Sequence, residues 1–400
     1  MIVWQSGKMY DICNSNHGKT HKIIYTEGEN MAQIFASPGR YIQGSGELEN
    51  LYGYIKDMGS KFLVMGTSSR LKALDNQIQT AFQEHTEQLV IEIFRGECSK
   101  AEVERITQVA KEQGCDCIVG IGAGKTMDAA KGVAYFHKCP VAIVPTAASS
   151  DAPCSALSVF YTEDGVLDEV IVFDRSPEIV LVDTKVIADA GKRLLAAGMG
   201  DALATYFEAR GCIENYRDNF VGGKFTKSSW ELAKLCYKML LENGVEAMLA
   251  AENGQVTKAL EDVVEANTLL SGLGFESNGV TGAHSVYYGF TVLPEHEAFF
   301  HGEFVAFGTL CLLVLENRPS AEIDEVVRFC MSVGLPTTLA DLKMDQITGE
   351  QMDQVAKKAT APVETIHNEP FTVTPQMVKD TILATDRIGR LYKNGGRVVY

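Results

Sequence analysis

Between Lys61 and Thr146 short apolar runs alternate with helical periodicity, and this alternation restricts the fold more than any other feature of the chain. KFLVMG (61–66) reads as a strand, Leu71 to His85 as a helix, QLVIEIF (88–94) as a strand and Ser99 to Gln113 as a helix. That last helix opens on a capping box, Ser99 with Glu102 three residues on, and carries an apolar stripe at Val103, Ile106, Val109 and Ala110. CDCIVGIG (115–122) and VAIVPT (141–146) are the kind of short apolar run that a parallel sheet buries on both faces. VIVF (170–173) and EIVLVD (178–183) close this half. The expectation is a doubly wound α/β domain with a mostly parallel sheet.

Beyond Gly191 the β-branched runs largely vanish and helical patterns take over, as in Ser228 to Glu242, Val256 to Leu273 and Gly302 to Glu316. With 400 residues the chain exceeds the roughly 250–300 at which single cores stop growing. Three segments are expected: an N-terminal extension (1–35), the α/β domain (36–190) and an all-helical C-terminal domain (191–400). No run approaches the ~18 apolar residues of a membrane span. A net charge of −16 opposes binding to a polyanionic nucleic acid. The ten cysteines form no CxxC pair and read as reduced, buried thiols. Met1 to Met31 lacks arginine and a continuous apolar core, so it resembles neither a secretory signal nor a good transit peptide. A cytoplasmic location follows, with organellar import through the extension left open.

The stretch GIGAGKTMDAAK (Gly120 to Lys131) contains the GKT tail of a P-loop, but the first glycine of that pattern falls on Val119. A nucleotide triphosphatase built on this loop is therefore disfavoured. Gly120, Gly122 and Gly124 stand between an apolar strand and a helix beginning near Lys125. Such a turn suits a diphosphate held at a helix N-terminus, and equally a tight strand–helix turn with no ligand. In the helical half, Asp201, His284 and His301 offer a carboxylate and two imidazoles, a set suited to Zn2+ or Fe2+. Spacing alone leaves alternatives. Asp201 follows Gly198-Met199-Gly200 as an N-cap would, and the two histidines, 17 residues apart, match no local zinc signature. Asp151, just past the VAIVPT strand, suits either a hydrogen-bond acceptor for hydroxyls or a turn or N-cap aspartate ahead of Pro153.

Four longer motifs add a resemblance. PTAASSDAPCSALSVFYTEDG (145–165), GMGDALATYFEAR (198–210), GVTGAHSVYYGF (279–290) and FFHGEFVAFGTLCLLVLENRP (299–319) occur in unbroken order. Together they resemble the metal-dependent, iron-type polyol dehydrogenase family over about residues 36 to 395, and within it the glycerol dehydrogenases. The resemblance implies an N-terminal dinucleotide-binding domain, a helical metal-binding domain, and oxidation of glycerol to dihydroxyacetone with NAD and Zn2+ or Fe2+. Reduction of small hydroxyketones is the expected reverse reaction. It assigns Asp201, His284 and His301 to the metal, with His284 also near substrate, and Asp151 to the substrate hydroxyls. It assigns Gly124, Lys125, Asp128, Thr146, Ser149, Ser155, Leu157 and Tyr161 to the coenzyme. It further implies a homo-oligomer, often an octamer.

Where this family usually places an aspartate on the adenosine ribose, the chain has Thr67, with Arg70 nearby, so NADP joins NAD as a candidate coenzyme. Alternatives are a dehydrogenase for another small diol such as 1,2-propanediol and, ranked lower, glycerol 1-phosphate dehydrogenase or a 3-dehydroquinate synthase-like enzyme. The last two bind anionic substrates, yet windows 145–165 and 279–303 hold no Lys or Arg.

Overall fold

The computed structural model describes residues 32–398 and, at its N-terminus, an antiparallel pairing of Ile2–Gln5 with Lys8–Asp11. Apart from 32–35, the rest of the expected N-terminal extension lies outside the described residues. The chain forms two compact units. One comprises Ala36–Leu195 and Glu246–Leu273; the other comprises Ala196–Val245, the described residues from Gly274 on and the described residues ahead of Ala36.

In the first unit six strands form one sheet: β1 (Arg40–Gly44), β2 (Phe62–Gly66), β3 (Leu89–Ile93), β4 (Cys117–Gly122), β5 (Val141–Pro145) and β8 (Ile179–Asp183). Their spatial order is β1-β8-β5-β4-β2-β3, and every pair is parallel. β2, β4, β5 and β8 are buried at every residue, which is why their sequences are apolar on both faces rather than alternating. The apolar core on one face runs from Leu48, Leu51 and Ile55 through Phe62, Val64 and Phe82 to Val119, Ile121 and Leu181.

Strand order reverses beside β2: β3 lies on one side of it, and the chain then crosses over to place β4 on the other. In open α/β sheets ligands bind at such a reversal, outside the carboxyl ends of the strands. Thr67, after β2, and Gly122 to Gly124, at the carboxyl end of β4, both stand there.

Four of the features read from the sequence differ in the structure. VIVF is not part of the main sheet: β7 (Leu167–Val172) pairs antiparallel with β6 (Leu157–Tyr161) as a separate hairpin. The Ser99 cap is half of the expected box. Its hydroxyl accepts from the Glu102 N–H (3.2 Å), while the Glu102 carboxylate turns to the Arg95 N–H and the Arg105 guanidinium. The pattern spanning Leu71 to His85 is two short helices, α1 (Ser68–Ala73) and α2 (Asp75–Ala81).

The fourth difference concerns the units. The sequence suggests one boundary at 190/191, whereas the compact units change over after Leu195 and the chain re-enters the α/β unit at Glu246. Hydrogen bonds explain the re-entry. The Asn267 amide donates to the carbonyls of Ala148 (3.0 Å) and Leu195 (3.2 Å), and the Tyr41 and Thr268 hydroxyls lie 2.8 Å apart. Asn267 and Thr268 sit at a π-helical turn, Ala266–Leu270, within an otherwise α-helical segment.

The helical unit draws on α3 (Lys192–Glu214), α4 (Lys227–Glu252), α5 (Gly282–Phe290), α6 (His301–Leu315), α7 (Ser320–Val333), α8 (Gly349–Ala359) and α9 (Pro375–Lys393). Its main core gathers Val286, Phe290, Phe304, Phe307, Leu342, Met352 and Ile382. No helix among the described residues is long and apolar enough to cross a membrane.

Candidate active site

Asp201 lies in the middle of α3, nine residues after its start at Lys192, so the N-cap alternative falls. What holds a carboxylate there is backbone packing between helices. A Cβ on Gly200 would stand 2.2 Å from the Gly302 carbonyl oxygen, and a Cβ on Gly302 only 1.8 Å from that of Ala197. The start of α6 therefore crosses α3 backbone to backbone, which places His301, its first residue, beside Asp201. A second close crossing, with Gly308 against the Ala283 carbonyl, brings in α5 and His284.

The result is a cluster. Asp201 Oδ1 lies 3.2 Å from His301 Nε2 and 3.5 Å from His284 Nε2. The three donor atoms lie within 4.8 Å of one another. Two donors about 2.1 Å from one ion at the tetrahedral angle stand about 3.4 Å apart, so these separations fit a divalent cation. Charge points the same way. Asp201 is only 1% exposed, and burial opposes its ionisation, yet the His301 and His284 rings hold its carboxyl well below the usual range.

Two residues of this cluster were not anticipated. Glu208, fully buried, accepts the backbone N–H groups of Thr281 (3.0 Å) and His284 (3.1 Å) on Oε1, and its Oε2 lies 2.5 Å from His284 Nδ1. Burial works against charge on His284, but Glu208 and Asp201 together hold its pKa well above the usual imidazole value. The available signal was the seven-residue spacing of Asp201 and Glu208, two turns along one face of a helix. Tyr287 sets its ring edge-on to His301 (4.4 Å between centroids, 87°), and burial, with Asp201 adding, pushes its hydroxyl up to about 12.

The glycine turn divides its labour. A Cβ on Gly120 would come within 2.4 Å of the Ala130 side chain, and one on Gly122 within 2.5 Å of Thr126, so these two glycines let β4 pack on the helix Gly124–His137. Gly124 meets nothing within 4 Å. It is the first residue of that helix and leaves open the approach to its N–H groups, as a diphosphate requires. Gly124→Val is expected to raise the dissociation constant for NADH at least tenfold with an unchanged melting temperature, while Gly122→Ala lowers the melting temperature. Fluorescence titration and a thermal melt check both.

The other coenzyme candidates separate by what their side chains touch. Lys125 Nζ pairs with Glu97 (2.6 Å) and lies over the Tyr161 ring, 4.8 Å from its centroid. Thr146 is buried and its N–H donates to the Gly122 carbonyl, which ties the ends of β4 and β5 together. Ser149 follows it, half-buried. Asp128 is a scaffold group in this structure: its carboxylate pairs with buried Lys131 (3.0 Å) and accepts from the Val159 N–H (3.2 Å). Lys131 also donates to the Ala152 and Leu157 carbonyls, so the pair anchors the segment before the hairpin. Ser155 Oγ donates to the Ala152 carbonyl, and Leu157 opens β6. Asp151 caps no helix; its Oδ2 accepts from Ser271 Oγ at 3.0 Å.

A parallel sheet with a glycine turn at its point of reversal suits a dinucleotide, and the helical unit converges one carboxylate and two imidazoles in an arrangement that suits a divalent cation. The model of the iron-containing alcohol dehydrogenases matches residues 38–184. A glycerol dehydrogenase of Citrobacter freundii is 46% identical over 362 residues, 90% of this chain and 99% of the relative. The crystal structure of a probable glycerol dehydrogenase from Sinorhizobium meliloti 1021 superposes with a TM-score of 0.84 at 45% identity, covering 90% of this chain and 99% of that one. Glycerol dehydrogenase from Schizosaccharomyces pombe gives 0.86 at 34% identity, over 92% and 94%. The chain belongs to the iron-containing alcohol dehydrogenase family.

Proposed function

We propose that this protein is an NAD-dependent glycerol dehydrogenase that oxidises glycerol to dihydroxyacetone and reduces small hydroxyketones in reverse. The observation that carries the reading is the convergence of Asp201, His284 and His301, with separations of 3.2 and 3.5 Å that suit a divalent cation. Its relatives of similar length support the substrate.

Asp201 Oδ1 and the two Nε2 atoms hold Zn2+ or Fe2+. The ion, when bound, supplies Lewis acidity that favours loss of the alcohol proton, and NAD supplies the hydride acceptor. Asp151, steadied by Ser271, accepts hydrogen bonds from the polyol hydroxyls. Gly124 and the helix N-terminus behind it hold the coenzyme diphosphate, and Lys125, Thr146, Ser149, Ser155, Leu157 and Tyr161 form the rest of that site. Asp128 contributes to it by anchoring the hairpin through Lys131. Windows 145–165 and 279–303 lack Lys and Arg, so an uncharged polyol is favoured over a phosphorylated one. A homo-oligomer, in the manner of an octamer, is the proposed assembly.

Thr67 follows β2 with its hydroxyl 3.4 Å from Ser69 Oγ, and a threonine repels no 2′-phosphate. NAD remains the better coenzyme, as in the family the chain belongs to, and the lack of repulsion at Thr67 leaves measurable turnover on NADP. A panel of glycerol, 1,2-propanediol and glycerol 1-phosphate, each with NAD and NADP, tests the reading. The highest kcat/KM is expected for glycerol with NAD and none for glycerol 1-phosphate. Preference for the phosphorylated substrate, or no oxidation of either diol, contradicts it.

A further inference from the structure

We propose that Glu208 is a positioning residue that fixes the ring tautomer of His284 and so presents its Nε2 lone pair to the cation, an inference that rests on the metal reading of the Asp201, His284 and His301 cluster. Glu208 is fully buried on α3, the helix that also carries Asp201. Its two oxygens do different work. Oε1 accepts from the backbone N–H groups of Thr281 and His284 at 3.0 and 3.1 Å, donors at the start of α5 that have no partner within the helix. Oε2 faces His284 Nδ1 at 2.5 Å.

An ionised carboxylate only accepts, so the proton of this contact belongs to Nδ1. Nε2 then keeps its lone pair for a ligand, and it is Nε2 that points to Asp201 Oδ1. The arrangement is the carboxylate–histidine–metal relay by which many metal sites fix the orientation and basicity of an imidazole. One helix thus supplies both a ligand and, two turns later, the group that orients a second ligand on α5.

A purely structural role is the competing account, since Oε1 alone explains why a carboxylate caps α5. Glu208→Gln separates the two. The pair of backbone N–H donors keeps the amide oxygen at the Oε1 position, so the cap survives. The amide NH2 then lies against Nδ1, which must become the acceptor, and the ring proton moves to Nε2 where it blocks the cation.

The test is a zinc competition titration against a chromophoric chelator on wild type, Glu208→Gln and His284→Ala, beside thermal melts of each metal-free protein. The expected result is a tenfold or greater loss of zinc affinity in Glu208→Gln, with the metal-free melting temperature close to wild type and NADH binding unchanged. Wild-type affinity in Glu208→Gln beside a loss in His284→Ala overturns the role of Glu208 alone. A wild type that takes up no zinc, or a His284→Ala variant as tight as wild type, overturns the metal reading and this inference with it. Should Glu208→Gln not fold, nitrogen NMR of histidine-labelled, zinc-loaded wild type decides. The inference requires the His284 signal, identified by its loss in His284→Ala, to show a protonated Nδ1, and a bare Nδ1 overturns it.

Discussion

Alanine at His284 or at His301 is expected to abolish alcohol oxidation while NADH binds nearly as in the wild type. Each substitution removes one of three donors that meet around Asp201 Oδ1 at 3.2 and 3.5 Å. The loss also falls on Asp201, whose buried carboxylate is held ionised by the two rings. With one imidazole gone, affinity for the cation falls and a buried charge loses its partner. A fall in kcat/KM of about a thousandfold or more is expected, corresponding to about 4 kcal/mol of transition-state stabilisation. The glycine turn at Gly124, the proposed coenzyme site, belongs to the other compact unit, so coenzyme affinity is the internal control. Rates of NADH formation with glycerol, paired with metal analysis and NADH titration, give the answer. A variant that keeps both its metal and its rate refutes the assignment.

The second large effect comes from a residue with no chemistry of its own. Gly302→Ala places a methyl group 1.8 Å from the Ala197 carbonyl oxygen and 3.0 Å from the Asp201 nitrogen. Both neighbours are backbone and cannot rotate aside, so α3 and α6 must separate. Overpacking of this kind costs about 3 kcal/mol or more, or roughly 6–12 °C in melting temperature for a unit of about 200 residues. Asp201 and His301 flank the contact, so metal retention is expected to fall with stability. Gly349→Ala is the matched control, because its methyl group meets nothing within 4 Å, and it is expected to melt like the wild type. Melting curves and metal content of the three proteins check this, and a Gly302→Ala protein as stable as wild type contradicts the close crossing.

Buried strands were legible because burial on both faces leaves a nearly continuous apolar run, as in IVGIG of β4 and VAIVP of β5. β1, RYIQG, escaped notice because it is an edge strand that carries Arg40 and Gln43 and has no fully buried residue. β6, LSVFY, buries only alternate residues, Ser158 and Phe160, a weaker pattern in so short a run. The return of Glu246–Leu273 to the α/β unit rests on long-range bonds from Asn267 and Thr268, which helical periodicity does not encode.

The same holds for the site. A glycine turn between strand and helix reads directly from GIGAG, but which glycine serves packing and which faces open space depends on Ala130 and Thr126 across the turn. Asp201, His284 and His301 share no local spacing because they converge through helix crossings at Gly200, Gly302 and Gly308. Only their resemblance to a family pattern grouped them in the sequence. Glu208 was hidden for a related reason, since a buried carboxylate on an apolar helix shows its purpose only when the histidine it meets comes from 76 residues away.

Anomalous scattering from zinc-soaked crystals tests the central claim most directly, that one carboxylate and two imidazoles of the helical unit hold a divalent cation. The account predicts a strong zinc peak about 2.0–2.2 Å from Asp201 Oδ1, His284 Nε2 and His301 Nε2. A crystal whose zinc binds elsewhere, with no peak among these three atoms, contradicts it.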